Sequence, residues 1–219
     1  MKRFFTTLSV VILALTVNGA NPTEPTANPE ALSKMNSEEM INLMVNLDTK
    51  SSILVAEKWL ERFEDNVNIE NNVVAYTILA DGNYFEGNYS QADKYYHKLV
   101  NIKKEKAYEN IWNVFKLGLC KYELNKYEDM KRICMSAINE NCIHFGVTIE
   151  EMWNGQVVND DIALMLYHFS LALYQVKGGK ADADAAMQLA AKCGLKKAQT
   201  FVKAYNVPCK PAKSVLFGE

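Results

Sequence analysis

Few residues of this chain combine the types and the spacing that chemistry requires. Cys142 and His144 stand two residues apart, and a thiol beside an imidazole base is the pairing that activates a cysteine nucleophile. Neighbours in sequence rarely adopt the geometry that this activation needs, and the sequence shows no third group that would orient the base. The pair therefore supports only an alternative function, a hydrolase with its Cys/His site in the predicted loop 139–160.

Motifs of the common enzyme classes are absent from the sequence. There is no glycine-rich phosphate-binding loop, no Gly-x-Ser-x-Gly elbow, no His-Glu-x-x-His pair and no Cys-x-x-Cys pair. The remaining histidines are expected to be a polar surface residue, His97, and a buried imidazole, His168. We therefore predict no catalytic residue, no metal site and no cofactor.

The first twenty residues have the layout of a secretory signal peptide. Two basic residues precede an apolar run from Phe4 to Val17, and Asn18-Gly19-Ala20 supplies small residues for cleavage. The run has about fourteen residues, fewer than the ~20 that a membrane-spanning helix needs. We expect residues 1–20 to be removed and residues 21–32 to form a flexible linker. The mature chain is then exported, to the periplasm or the outside of a bacterial cell.

The charge balance argues against nucleic acid and anionic membranes as partners. The whole chain carries 24 basic and 26 acidic residues, and removal of residues 1–20 takes away two basic residues and leaves a net charge of −4. No basic face is evident that would release counterions from a phosphate backbone. Short lysine clusters such as Lys103-Lys104 and Lys196-Lys197 are typical of solvated helix surfaces.

The segment Val73–Val100 has a pattern of small and bulky residues that predicts two packed helices. Ala80 and Ala92 fall where the helices must approach closely, and a turn is expected at Glu86-Gly87-Asn88. The bulky residues around them are Tyr76, Leu79, Tyr84, Tyr89, Tyr96 and Leu99. On these residues the segment resembles a tetratricopeptide repeat, in which one helix pair cannot bury its own face and needs neighbours.

Further segments resemble the same repeat family. Ile111–Ile138 repeats the pattern 38 residues after the first segment, with Leu117-Gly118 in the places of Leu79-Ala80. Near the end of the chain, Ala190-Ala191 and Gly194 resemble the Sel-one-like variant of the repeat. The resemblance implies an all-α fold, a right-handed α-α superhelix, which is a tetratricopeptide-like solenoid of about four helix pairs.

The predicted domain organisation follows from these segments. The helical repeat domain covers residues 33–206, and residues 207–219 form a C-terminal tail. The stretch 139–160 is expected to interrupt the repeats as a long loop with one short helix. Loops of this length inside a compact domain are often functional.

The five cysteines leave two readings open in an exported chain. Cys134 and Cys142 are eight residues apart across an expected helix end, and an exported family of cysteine-rich helical repeat proteins places disulfides at a similar interval. The resemblance therefore implies a disulfide between them. The alternative is a set of buried free thiols, since cysteine is among the most buried residue types.

The resemblance also implies an aromatic groove. In this family the first helix of each repeat lines the concave face, which predicts a surface for a protein or peptide partner with an apolar or aromatic segment. The alternative is that the long loop or a terminal tail fills the groove and makes its residues part of the core. The predicted partner-binding residues are Tyr84, Phe85, Trp112, Phe115, Leu119, Tyr122, Tyr167 and Tyr174.

These observations predict an exported, non-enzymatic helical-repeat scaffold that mediates protein–protein interaction. Two alternatives stay open at this point. One is a cell-envelope hydrolase with the Cys/His pair of loop 139–160 at its site. The other is an accessory subunit of an envelope complex that uses its convex face and self-associates through its open ends.

Overall fold

The computed structural model describes residues 28–64, 69–102 and 107–209, without the side chains of 107–109. In this part of the chain all regular structure is helical and no strand is present, so the prediction of an all-α fold is confirmed. The predicted signal peptide and residues 210–219 lie outside the described residues. The helices are α1 Pro29–Lys34, α2 Ser37–Met44, α3 Thr49–Phe63, α4 Ile69–Phe85, α5 Tyr89–Asn101, α6 Ala107–Glu123, α7 Tyr127–Phe145, α8 Ile149–Trp153, α9 Asp160–Gln175, α10 Lys180–Lys192 and α11 Lys196–Tyr205.

The chain divides into two compact units, residues 1–102 and 103–219. In unit 1, α2 packs against α3 and α4, α3 packs against α4, and α4 packs against α5. In unit 2, α6 packs against α7, and α9 packs against α6, α7 and α10. Helix α10 also packs against α8 and α11. In each unit, helices therefore pack against the next helix in the sequence and also against helices that are further along the chain.

Helix α1 begins inside the stretch predicted to be a flexible linker, so that prediction is wrong for residues 29–32. The side chain of Asn28 caps the helix by accepting a backbone N–H hydrogen bond at 3.0 Å, and Pro29 stands in the first turn. Leu32 is buried in the core of unit 1. Arg62 of α3 donates a hydrogen bond to the carbonyl oxygen of Leu32 at 2.5 Å and so attaches α1 to the unit.

The hairpins α4–α5 and α6–α7 have the same turn geometry at an interval of 38 residues. In the first hairpin the backbone N–H of Asn88 donates to the carbonyl oxygen of Asn83 at 2.8 Å. In the second hairpin the backbone N–H of Lys126 donates to the carbonyl oxygen of Lys121 at 2.9 Å. Each turn contains one residue with a left-handed backbone, Gly87 with φ 79° and Asn125 with φ 58°. The turn predicted around Gly87 is therefore confirmed, and the second hairpin repeats it.

Small residues mark the closest approach of the paired helices. Ala80 and Ala92 are completely buried on α4 and α5, as the sequence predicts. On α6, Gly118 lies against α7, where an added Cβ would lie 3.1 Å from the backbone nitrogen of Cys134 and would overlap its Sγ. The contact between α6 and α7 therefore leaves no room for a side chain at position 118.

Substitution Gly118→Ala is expected to destabilise the protein by about 1–3 kcal/mol, because the added methyl group overlaps Cys134. Thermal unfolding followed by circular dichroism measures the change. Gly82→Ala is the matched control, since its methyl group comes closest to the side chain of Ile53, which can move, and alanine is favoured over glycine in a helix. Removal of the thiol in Gly118→Ala/Cys134→Ala should recover part of the loss. Equal unfolding temperatures for the two glycine variants would contradict the proposed close contact.

Helix α7 continues into the stretch predicted to be the loop 139–160, so the loop is shorter than expected. The helix ends where Gly146 adopts a left-handed backbone with φ 65°. Its continuation buries Cys142 in unit 2, which favours the longer helix. The short helix predicted within the loop is present as α8.

Two completely buried polar side chains of unit 2 differ in their hydrogen bonding. The hydroxyl of Ser170 donates to the carbonyl oxygen of Ala183 at 2.7 Å. The amide of Asn141 donates to the sulfur of Met165 at 3.4 Å, and its Oδ1 has no hydrogen-bond partner among the described residues. A buried acceptor without a partner costs free energy on folding. The buried Oδ1 of Asn141 therefore destabilises the fold, whereas the buried hydroxyl of Ser170 has its hydrogen bond.

Substitution Asn141→Leu is expected to raise the free energy of unfolding by about 1–2 kcal/mol, because the unpaired acceptor is removed. Ser170→Ala is the control, and it should lower the free energy of unfolding by about 1 kcal/mol because the hydrogen bond from its hydroxyl to the carbonyl oxygen of Ala183 is lost. Urea unfolding of the two variants measures both changes. If Asn141→Leu loses as much stability as Ser170→Ala, the conclusion that the Oδ1 atom of Asn141 is unpaired is wrong.

Candidate functional site

Helix α9 carries no charged residue from Ile162 to Gln175. One side of this helix is buried, and it contains Ile162, Ala163, Met165, Leu166, Phe169, Ser170, Ala172 and Leu173. The opposite side holds four apolar or aromatic residues that are half-buried, at a spacing of three, four and three residues that keeps them on one face. They are Leu164, Tyr167, Leu171 and Tyr174, and together they are called the α9 stripe.

Aromatic rings continue from the α9 stripe onto α11. The ring of Tyr174 lies 5.6 Å from that of Phe201, centroid to centroid, and the ring of Phe201 lies 4.6 Å from that of Tyr205. Tyr205 is 68% exposed. These three residues are called the aromatic ladder. The sequence analysis did not propose Phe201 and Tyr205 as site residues, although two aromatic residues four positions apart on a helix signal a shared face.

The predicted partner-binding residues of α6 divide into core and surface. Phe115 and Leu119 are only 1% and 6% exposed, so the prediction that they bind a partner is wrong. Helix α6 packs against both α7 and α9, which leaves little of its middle open. Trp112 and Tyr122, near the two ends of the same face, are half-buried. The ring of Trp112 contacts Phe115 at 5.9 Å, and that of Tyr122 contacts Tyr127 at 6.0 Å.

The remaining predicted residues lie on α4 and α9, in different units. Tyr84 and Phe85 are half-buried at the end of α4 in unit 1. The ring of Tyr84 contacts those of Phe85 and Tyr89 at 6.3 and 5.4 Å, so part of its surface is used within its own hairpin. Tyr167 and Tyr174 are brought together on the α9 stripe. Binding of a partner by Tyr84 and Phe85 stays a prediction.

The disulfide predicted between Cys134 and Cys142 is not formed. Both residues are buried free thiols on the continuous helix α7. Eight residues of helix separate two Cα atoms by ~12 Å, whereas a disulfide tolerates at most ~6.8 Å. Burial raises the pKa of Cys142 to about 11 and raises that of Cys134 as well. Both thiols therefore stay protonated near neutral pH.

The structure does not bring the thiol of Cys142 and the imidazole of His144 together. Residues two positions apart on a helix point to different sides. Cys142 is buried, whereas His144 is exposed and its ring contacts Phe145 at 5.0 Å. Among the described residues, no three His, Cys, Asp or Glu side chains are grouped so that they could hold a metal ion.

A polar network connects three helices of unit 1 beside a surface cleft of about 440 Å³. Glu64, which follows α3, accepts hydrogen bonds from the hydroxyl of Tyr76 on α4 and from Nζ of Lys98 on α5, the latter at 2.6 Å. The hydrogen bond from Lys98 lowers the pKa of Glu64. Burial acts to lower the pKa of Lys98, but its hydrogen bonds to Glu64 and Tyr76 outweigh burial and raise it. A lysine held in this way is a structural cation rather than a nucleophile.

His168 lies next to the α9 stripe and stays uncharged near neutral pH. Its ring contacts that of Tyr167 at 5.3 Å. Burial, and then the positive charge of Lys197 on α11, lower the pKa of His168 from 6.5 to about 4.

The stability of the protein is expected to fall as the pH decreases from 6.5 to 4, in part because of His168. In this window the unfolded chain binds a proton at His168 and the folded chain does not, which favours unfolding. The loss from this residue approaches about 3 kcal/mol below pH 4. Urea unfolding at pH 7, 5.5 and 4 should show a smaller loss for His168→Gln. His97→Gln, which replaces an exposed histidine of α5, is the control, and an equal pH dependence of both variants would argue against a buried neutral His168.

Comparisons of the chain with protein-family models, with curated proteins and with solved structures find no match. The repeat-family resemblance, the superhelical arrangement and the export of the chain therefore stay predictions. Among the described helices, none combines the length and the apolar character that crossing a membrane requires.

Proposed function

We propose that the protein is an exported, non-enzymatic scaffold that binds a protein or peptide partner through the α9 stripe and the aromatic ladder. The observation that carries this proposal is the uncharged helix α9, which keeps four half-buried apolar and aromatic residues in one row. Aromatic side chains supply large contact areas at a low cost in conformational entropy, and they are frequent among the residues that dominate binding energy. Contiguous apolar residues that remain accessible on a helix face are a common feature of interaction sites.

The repeated hairpin geometry supports a solenoid as the architecture of this scaffold. Hairpins α4–α5 and α6–α7 share their turn hydrogen bonds, and each places a tyrosine pair across its turn. Repeating units that cannot bury their own faces stack on neighbours and create extended binding surfaces. We therefore propose a right-handed tetratricopeptide-like superhelix of about four helix pairs.

The hydrolase alternative lacks a comparable observation. Its two candidate residues lie on different sides of α7, and burial keeps the thiol of Cys142 protonated near neutral pH. A nucleophile that works near pH 7 needs a nearby base or a lowered pKa. The scaffold is therefore the function that the geometry supports best.

The double variant Tyr167→Ala/Leu171→Ala tests the scaffold. Both residues are half-buried, so their truncation should leave the fold intact while it removes the centre of the α9 stripe. In a pull-down from envelope extract with the mature chain, we expect at least a roughly tenfold loss of the captured partner. Circular dichroism and thermal unfolding verify that the variant is folded.

The matched control is Leu60→Ala/Tyr95→Ala, which truncates two half-buried residues of unit 1. Capture should be unchanged by this pair. If the stripe variant, correctly folded, captures as much partner as the wild type, the α9 stripe is not the working surface. Equal losses for both pairs would show that the captured material binds non-specifically.

A further inference from the structure

The end of unit 2 is basic although the chain as a whole is acidic. From Ala185 to Cys209 the sequence contains lysines but no aspartate or glutamate. Lys192 is engaged with Trp153, since it donates to the carbonyl oxygen at 2.7 Å and its Nζ lies 5.0 Å from the centre of the ring. The three exposed lysines of α11 form no ion pair with any described residue; they are Lys196, Lys197 and Lys203. The carboxylate of Asp184 accepts a hydrogen bond from the hydroxyl of Tyr174 and is paired with Lys180, each at 2.7 Å, whereas Lys197 has no ion-pair partner in the described part of the chain.

Lys197 shares one face of α11 with the aromatic ladder. Lys197, Phe201 and Tyr205 follow one another at intervals of four residues, which places their side chains in one row along the helix. The ring of Phe201 contacts that of Tyr174 on α9 at 5.6 Å, so this face of α11 adjoins the α9 stripe. Lys203 lies two residues beyond Phe201 and therefore points to a different side of the helix.

We propose that the partner segment carries an acidic side chain beside its apolar or aromatic anchor, with the anchor on the aromatic ladder and the carboxylate on Lys197. This inference rests on the proposed function, and it adds the chemistry by which a partner is selected. A carboxylate that meets an ammonium group at the edge of a desolvated aromatic surface forms a charge-assisted hydrogen bond. Such a pair selects acidic partners and disfavours basic ones, even where it adds little to the total affinity.

An acidic protein segment fits this surface better than an anionic membrane does. Helices that bind membranes have several basic residues next to an apolar face that enters the bilayer interface. On α11 only Lys197 shares the face of Phe201 and Tyr205. Lys197 can therefore pair with one acidic side chain of a protein segment, while Phe201 and Tyr205 contact one apolar side chain next to it.

Selection from a random-peptide display library against the mature chain tests the chemistry of the partner. Peptides retained by the wild type, and released by the folded variant Phe201→Ala/Tyr205→Ala, are expected to be enriched in Asp and Glu next to an apolar or aromatic residue. The best binder and its Glu→Gln or Asp→Asn analogue are then synthesised. Fluorescence polarisation compares their affinities at 50 and 300 mM salt.

Lys197→Gln and Lys203→Gln form the matched pair, because they remove the same charge from different sides of α11. Lys197→Gln should weaken the acidic peptide about three- to fivefold at 50 mM salt and less at 300 mM, since Lys197 is exposed and salt screens the pair. Lys203→Gln should weaken it less than about twofold.

The outcomes separate this inference from the function on which it rests. Selected peptides without acidic residues, or equal losses for Lys197→Gln and Lys203→Gln, overturn the inference and leave the scaffold standing. If no peptide is retained above background, the scaffold is overturned as well. Lys197-dependent binding to vesicles of anionic lipid, without a preference for acidic peptides, also overturns the inference and assigns the surface to a membrane.

Discussion

Burial of helix α9 is the constraint on which unit 2 depends. A helix without a charged residue from Ile162 to Gln175 gains little from water on any side, so its stability comes from packing. It obtains this packing from α6, α7 and α10. The same neighbours explain why Phe115 and Leu119 are core residues and why α7 continues past the predicted helix end to bury Cys142.

Packing of α9 on one side accounts for the candidate surface on the other. The neighbours cover eight of its residues, and the α9 stripe is what they leave half-open. Helix α11 reaches this row through the contact between Tyr174 and Phe201. A partner that covers the stripe removes the remaining exposed part of these side chains from water, which favours binding. This explains why we propose the stripe and the aromatic ladder, rather than the middle of α6, as the working surface.

Polar groups add to the apolar packing of unit 1 beside its surface cleft. The core is built from α1 to α4, and it includes Leu32, Met40, Met44, Val55, Ala56, Trp59, Ala75 and Leu79. Helix α5 packs on α4 and buries Ala92 and Leu99, and the hydrogen bonds among Glu64, Tyr76 and Lys98 link it to the end of α3 as well. Because both ions are paired and Tyr76 stays protonated, the network fixes three helices without creating a reactive group. The perturbed pKa values at this cleft therefore have a structural explanation.

Local features of the fold could be read from the sequence. The helices of Val73–Val100 and the turn at Gly87 follow from helical spacing and from the need for a left-handed residue, both of which act within a few residues. Prediction failed where the outcome depended on a distant element. The start of α1 depends on its hydrogen bonds to Arg62, and the length of α7 depends on burial in unit 2. The disulfide expected between Cys134 and Cys142 does not form because α7 does not end between them.

The aromatic faces of α6 and α9 show the limit of the sequence most clearly. Phe115 and Tyr167 hold corresponding places in two rows of residues with the same helical spacing. The residue types in the two rows do not indicate which row is buried by other helices. The sequence by itself determined that both rows exist, since a spacing of three and four residues keeps side chains on one face. Only the tertiary structure decided that the middle of the α6 row is core and that the α9 row is half-open, because burial is set by helices that are distant along the chain.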